Sequence, residues 1–160
     1  MAARSRVSMA PGALENTAGE LDLALPGANA FFAVGTTDAA GEQQVRLTRD
    51  GRLTRDAEGF LVTIASGNRV LDDKDKPIQL PATGKVHVDD AGNMTVGDSQ
   101  VAKIQVASVD DPTRLIKHGQ GLFRWRGAND PRSPAEEPNV KQGFVEASGV
   151  DPIKALMQLI

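Results

Sequence analysis

The segment that decides the fold reads Glu58-Gly59-Phe60-Leu61-Val62-Thr63-Ile64-Ala65-Ser66-Gly67-Asn68. Its centre is rich in β-branched and aromatic residues, which favour extended strands. Turn residues flank it on both sides, and glycine beside asparagine supplies the positive φ angle that tight hairpins need. The segment therefore predicts one short strand between two turns.

The same pattern recurs along most of the chain. Strand-like segments cover residues 21–25, 45–48, 86–88 and 101–109, and turn signals stand at Asp50-Gly51 and Ala91-Gly92-Asn93. Strands and turns that alternate every roughly 8–12 residues are typical of antiparallel sheets. A long alternation of strands with helices, the pattern of doubly wound α/β folds, is missing from the sequence. We therefore expect a mainly β fold, an antiparallel β-sandwich or barrel-like core domain.

One short internal helix is predicted over residues 112–118. Asp111 suits the N-cap, Pro112 the first helical position, and Gly119 the left-handed residue that follows a helix. Lys117 and His118 fall in the last turn, where positive charge meets the negative end of the helix dipole. We expect this to be the main helix inside the β domain.

A second helix is predicted to begin at Asp151-Pro152 and to run to the last residue. Its apolar residues recur at the spacing i, i+3, i+4 and i+7, which places them on one helical face. They are Ile153, Leu156, Met157 and Ile160. No helix stop signal follows them, so the sequence predicts a truncated C-terminal helix whose natural chain continues. This stripe is the predicted assembly site.

The predicted organisation has three parts. Residues 1–20 form an extended or flexible N-terminal segment, residues 21–150 the β core domain, and residues 151–160 the start of the truncated C-terminal assembly helix. A chain of 160 residues has the usual length of one domain.

Composition excludes several classes of function. Lys+Arg 18 and Asp+Glu 21 are interspersed and leave a net charge of -3, which gives no pull toward nucleic acid or anionic lipid. Because the chain has Cys 0, it has no disulfides, thiol nucleophiles or thiolate zinc sites. No apolar run approaches the ~20 residues of a membrane span, and the N-terminus lacks the apolar core of a cleavable signal peptide.

Candidate reactive groups are few. His87 stands between two valines and is expected to face solvent, and His118 has no evident catalytic partner. The acidic run at residues 72–75 does not have the spacing of an EF-hand, so we interpret it as a solvated turn. In Arg124-Trp125-Arg126 the tryptophan is expected to point to the core and the arginines to its rim. We therefore expect no enzyme, no metal, no cofactor and no small-molecule substrate.

Three ordered sequence blocks stand out along the chain. The first comprises GALENT at 12–17, LDLAL at 21–25 and FFAV at 31–34. The second comprises TRDG at 48–51 and DAEGFLVT at 56–63, and the third is VKQGFVEASGV at 140–150. Together these blocks resemble the bacterial flagellar rod and hook proteins. The span between residues 70 and 119 carries no large inserted domain, which is more similar to a rod than to a hook protein. A proximal-type rod subunit is favoured over a distal-type one.

The resemblance implies a structural subunit of the basal-body rod that transmits torque from motor to hook. It implies assembly with other flagellar rod and hook subunits and with copies of itself. It also implies a periplasmic location in the basal body, reached through the flagellar type III export apparatus without a cleavable signal peptide. In this family the terminal helices pair as an inner tube, and the β domain forms an outer layer.

The alternative reading is a stand-alone β-sandwich binding module, for example for carbohydrate or cell wall. Such a module needs a platform of exposed aromatic side chains. The chain offers only Trp125 and Phe 5 in total, with Tyr 0. An enzyme is the third reading, with His87 or His118 as its only imidazoles.

Overall fold

The computed structural model describes residues 13–147. In this range the chain forms sixteen short strands and one 3₁₀ turn at Pro112–Arg114. The strands are β1 (Leu14–Asn16), β2 (Leu23–Ala24), β3 (Ala30–Thr37), β4 (Gln43–Thr48), β5 (Leu53–Arg55), β6 (Leu61–Thr63), β7 (Arg69–Val70), β8 (Val86–Val88), β9 (Asn93–Val96), β10 (Ser99–Lys103), β11 (Val106–Val109), β12 (Leu115–Gly119), β13 (Leu122–Trp125), β14 (Arg132–Pro134), β15 (Lys141–Gln142) and β16 (Phe144–Glu146). The pairings between these strands are antiparallel, which confirms the predicted mainly β class.

The longest strand, β3, organises the largest sheet. The nine-stranded sheet runs β12-β13-β4-β3-β7-β6-β5, and β11 pairs with both β3 and β14. On one side β3 pairs with β4, while on the other side its first half pairs with β11 and its second half with β7. Residues 30–34 are all apolar and all buried, as expected for a strand covered on both faces.

Side chains alternate across β3 between two apolar clusters. Phe32 and Val34 belong to the larger cluster, and Phe31 and Ala33 to the smaller one. The three-stranded sheet β8-β9-β10 contributes Val86, Val88 and Met94 to the larger cluster, so two sheets share one core as in a sandwich. The sheets do not close, so the barrel-like alternative is not what the domain adopts.

The helix predicted over residues 112–118 is wrong for most of its length. Asp111 does cap the 3₁₀ turn, since its carboxylate accepts a hydrogen bond from the Thr113 backbone N–H at 3.1 Å. At Leu115 the chain becomes extended and pairs with β13, with Leu115 opposite Trp125. Both side chains pack on the smaller cluster, so burial and ladder bonds made in tertiary structure override the helix signals. Gly119 has the predicted positive φ of 95°, but it lies at the end of β12.

Most of the predicted turn glycines have the left-handed conformation, and one does not. Gly59, Gly67 and Gly92 have φ angles of 88°, 72° and 94°. Gly51 is not among the residues with positive φ, so that part of the prediction is wrong. A Cβ at Gly51 would lie 1.7 Å from the carbonyl oxygen of Leu23, so this position needs glycine because another backbone passes close to it.

Part of the predicted N-terminal segment is attached to the domain. Residues 14–16 form β1, which pairs with β16 near the other end of the described chain. The limits 1–20, 21–150 and 151–160 remain a prediction. The predicted C-terminal helix lies outside the described residues.

Candidate functional site at the terminal junction

The three sequence blocks that resemble flagellar proteins meet at one place in the fold. We call this place the terminal junction and define it as residues 13–25, 49–51 and 140–147. It contains the two-stranded sheets β1-β16 and β2-β15, and it is where the described chain begins and ends.

The two ends of the described chain leave the domain side by side. In the β1-β16 ladder Leu14 lies opposite Glu146, and Asn16 lies opposite Phe144. One step further out, the backbone N–H of Ala147 donates to the carbonyl oxygen of Ala13 at 2.8 Å. Whatever precedes residue 13 and follows residue 147 therefore starts from adjacent points.

Gln142 ties the junction to the three-stranded sheet. Its Nε2 donates to the carbonyl oxygens of Glu20 and Val86, each at 2.8 Å, and its Oε1 accepts from the Val88 N–H at 3.0 Å. The Glu20 carboxylate accepts from the Val86 N–H. The side chains of Gln142 and Glu20 thus hydrogen-bond backbone groups on the outer edge of β8. An open edge strand would leave these groups without a partner.

Arg49 is the most connected charged group of the junction. Its Nη1 donates to the carbonyl oxygens of Gly27 and Ala30, at 2.5 and 2.6 Å, and its Nη2 donates to that of Leu25 at 2.8 Å. Nη2 also bonds the Glu146 carboxylate at 2.6 Å. The two side chains are 11% and 16% exposed, so this is a largely buried ion pair. Hydrogen bonds of this kind are short and directional because donor and acceptor are charged.

Gly51 allows the first and second sequence blocks to touch. The N–H of Leu23 donates to the carbonyl oxygen of Gly51 at 2.9 Å, and the N–H of Leu53 donates to that of Leu21 at 3.2 Å. Asp22 and Arg52 form an isolated antiparallel bridge between these two bonds. The close approach leaves no room for a side chain on Gly51.

A second ion-pair cluster lies away from the junction. Arg132 bonds Asp75 at 2.8 Å and Asp130 at 2.7 Å, and its Nη1 donates to the Gln105 side-chain oxygen at 2.8 Å. Its guanidinium carbon lies 5.5 Å from the Trp125 ring centre. Burial alone would raise the pKa of both aspartates, but the hydrogen bonds from Arg132 overcome this and hold each pKa below its usual range. The cluster borders a cleft of about 380 Å³. It links β14, on which Arg132 lies, to the turn at residues 72–75.

The predicted assembly residues Ile153, Leu156, Met157 and Ile160 lie outside the described residues. The junction residues Arg49 and Glu146 carried no predicted role, although both belong to the quoted blocks. Neither residue stands out in its block, because Asp50 follows Arg49 and Lys141 shares the third block with Glu146. What each of them contacts depends on a pairing between positions 97 residues apart.

The other candidate groups do not converge. His87 is exposed on β8 and His118 is exposed on β12, so the two imidazoles belong to different sheets. Residues 72–75 form a turn closed by Asp72, which accepts from the N–H groups of Lys74 and Lys76. No group of three or more potential metal-binding side chains exists within residues 13–147.

Aromatic side chains form no platform on this domain. All six lie in the described range, and none is exposed. Phe123 is buried and Trp125 packs on the smaller cluster, while Arg124 and Arg126 are exposed, as the alternation predicted. The carbohydrate-module alternative therefore has no supporting surface here. Nor does any helix in residues 13–147 have the length and apolar character needed to cross a membrane.

The fold and the terminal junction together define a class of protein. It is an antiparallel β domain in which both ends of the described chain leave the domain from adjacent points. No protein-family model matches the chain. Individual proteins do match it. The chain is 37% identical over 150 residues to the flagellar basal-body rod protein FlgF of Caulobacter vibrioides, covering 93% of this chain and 58% of that protein.

Two further relatives agree. Proteins of the same name from Mesorhizobium japonicum and Rhizobium meliloti are 31% and 32% identical over 98% and 96% of this chain. The chain covers 63% and 61% of those proteins, so it spans about three fifths of the length of the relatives it matches. The chain is thus similar to flagellar basal-body rod proteins over nearly all of its own length, and the similarity is consistent with a proximal-type rod protein.

Proposed function

We propose that the protein is a structural subunit of the flagellar basal-body rod. In this role it assembles with other rod and hook subunits and with copies of itself, and it transmits torque from motor to hook. It reaches the periplasmic rod through the flagellar export apparatus. The observation that carries the proposal is the terminal junction, where the sequence blocks typical of the family come together around the exit of both chain ends.

The assembly contacts are proposed to lie beyond the junction. The stripe of Ile153, Leu156, Met157 and Ile160 is the proposed seam, and it pairs with the segment that precedes Ala13. The 2.8 Å bond between Ala147 and Ala13 supports this, because it places the starting points of both segments next to each other. Two segments that start next to each other can pair along an apolar stripe.

The proposed role involves no catalysis, no cofactor and no small-molecule substrate. Two observations support this. The two histidines lie apart, and the largest ion-pair clusters bond groups within the domain. Arg49 and Arg132 both bond groups of the same domain, so their charge is directed to holding segments together.

The test is deletion of the gene in the organism that carries it. Deletion should abolish swimming and leave basal bodies without a complete rod, and the unaltered gene supplied in trans should restore both. A swimming deletion strain with normal basal bodies would contradict the proposal.

The stripe can be tested separately in the complemented strain. Leu156→Asp places a charge in the apolar seam and should abolish swimming. Gln158→Asp adds the same charge one residue outside the stripe and serves as the matched control. Equal swimming of the two variants would rule out the stripe as the seam.

A further inference from the structure

We infer that Glu146, through its ion pair with Arg49, is a positioning residue that sets the direction in which the C-terminal end of the chain leaves the β domain. The inference rests on the proposed function, in which the segments beyond the junction make the assembly contacts. It assigns to one carboxylate the link between those segments and the rigid domain.

Arg49 provides a fixed point that does not depend on Glu146. It follows directly after β4, in the centre of the nine-stranded sheet, and three carbonyl oxygens of residues 25–30 accept its hydrogen bonds. The planar guanidinium holds these acceptors in a defined geometry. A carboxylate that bonds its Nη2 is therefore held relative to the main sheet.

The C-terminal strand needs such a link. Among residues 13–147, strand β16 pairs only with β1, and an isolated two-stranded ladder is marginally stable in water. All three residues of β1 are exposed, so β1 gives its partner little apolar support. Val145 is buried, and it anchors the strand without directional constraint. Glu146 supplies direction because its 2.6 Å bond to Arg49 lies one residue before the ladder ends at Ala147.

A purely stabilising role and a positioning role make different predictions. Removing one partner of a buried ion pair is destabilising because the other charge is left unpaired, so a loss of stability alone does not show a positioning role. The deciding quantity is thus the spread of exit directions in the folded protein, measured apart from the free energy of unfolding.

The experiment compares Glu146→Ala with Glu15→Ala. Glu15 lies on the neighbouring strand of the same ladder, and its carboxylate makes no hydrogen bond or ion pair with a described residue, so it is a matched control. Because the chain has Cys 0, spin labels can be placed at Thr54→Cys on β5 and Ala147→Cys without side reactions. Pulsed dipolar spectroscopy then gives the distance distribution between the main sheet and the chain end.

We expect one narrow distance peak in the otherwise unaltered protein and in Glu15→Ala, and loss of that narrow peak in Glu146→Ala, all recorded without urea on samples that circular dichroism shows to be folded. The same narrow peak in both variants would overturn the inference. If Glu146→Ala does not fold, Glu146→Leu removes both acceptor oxygens while keeping much of the side-chain volume, and an unchanged narrow peak there overturns the inference equally. The proposed function fails independently, through a swimming deletion strain, so the two failures are distinguishable.

Discussion

Replacing Gly51 by alanine should be among the most damaging small substitutions in this domain. The added Cβ would lie 1.7 Å from the Leu23 carbonyl oxygen, 2.7 Å from the carbonyl carbon of the same residue and 3.1 Å from the Phe32 ring. A carbon and a carbonyl oxygen normally approach to about 3.3 Å, so the two backbones must separate by roughly 1.6 Å. The Leu23 side of the contact is itself buried and cannot yield cheaply.

The size of the effect follows from what the separation breaks. Overpacking of a filled site costs about 1–3 kcal/mol. The two backbone hydrogen bonds that join the blocks, at 2.9 and 3.2 Å, add about 1 kcal/mol each when lost. We therefore expect Gly51→Ala to lower the free energy of unfolding by about 3–5 kcal/mol.

The assay is urea denaturation followed by circular dichroism and by the fluorescence of Trp125, the single tryptophan. Gly27→Ala is the matched control, since its new Cβ would meet only the Ala30 Cβ at 3.6 Å and its φ lies outside the left-handed region. That variant should be neutral or gain up to about 1 kcal/mol. If Gly51→Ala has the same urea midpoint as the control, the argument from close backbone approach is refuted.

Three further outcomes are expected. Gln142→Glu replaces the N–H donor that faces two carbonyl oxygens with an acceptor, so it should lower the free energy of unfolding by about 2–3 kcal/mol at pH 7. Acidification should restore part of this loss. Urea titrations at pH 7 and at acidic pH test this. The aspartate partners of Arg132 have lowered pKa values, so the ion pairs stabilise the protein only while these aspartates are ionised. The difference in unfolding free energy between the unaltered protein and Arg132→Gln should therefore be full above about pH 4 and shrink as the pH falls further. A difference that stays constant with pH would contradict the assignment. The double variant Ala13→Cys with Ala147→Cys should form a disulfide on mild oxidation, because a hydrogen-bonded antiparallel pair has the required spacing. The disulfide should raise the unfolding free energy by up to ~4–5 kcal/mol. Free thiols that persist after oxidation would show that the two positions are not adjacent.

Local sequence signals predicted those features that depend on neighbouring residues. Glycines at positions 59, 67 and 92 have the left-handed conformation that their turns required. The alternation around His87 places both flanking valines in the core and the imidazole outside, because side chains of a strand point to opposite faces in turn. Such patterns need no knowledge of the rest of the chain.

Signals failed where a distant partner decided the conformation. The caps at Asp111 and Gly119 are those of a helix, and the cap at Asp111 is used, but only for one 3₁₀ turn. Pairing of Leu115 with Trp125 then draws the chain into the sheet, since burial of both side chains outweighs a weak local preference. The role of Gly51 was missed for the same reason, because Leu23 approaches it only in the folded domain.

The β class and most of the glycine turns could be predicted from the chain alone, because strand periodicity and glycine conformation are local properties. What the ordered motifs contact depends on the folded domain. Arg49 meets Glu146 across 97 positions, and Gln142 meets Glu20 across 122. Contacts over such separations form only when the sheets bring the strands together, so the terminal junction is a property of the fold.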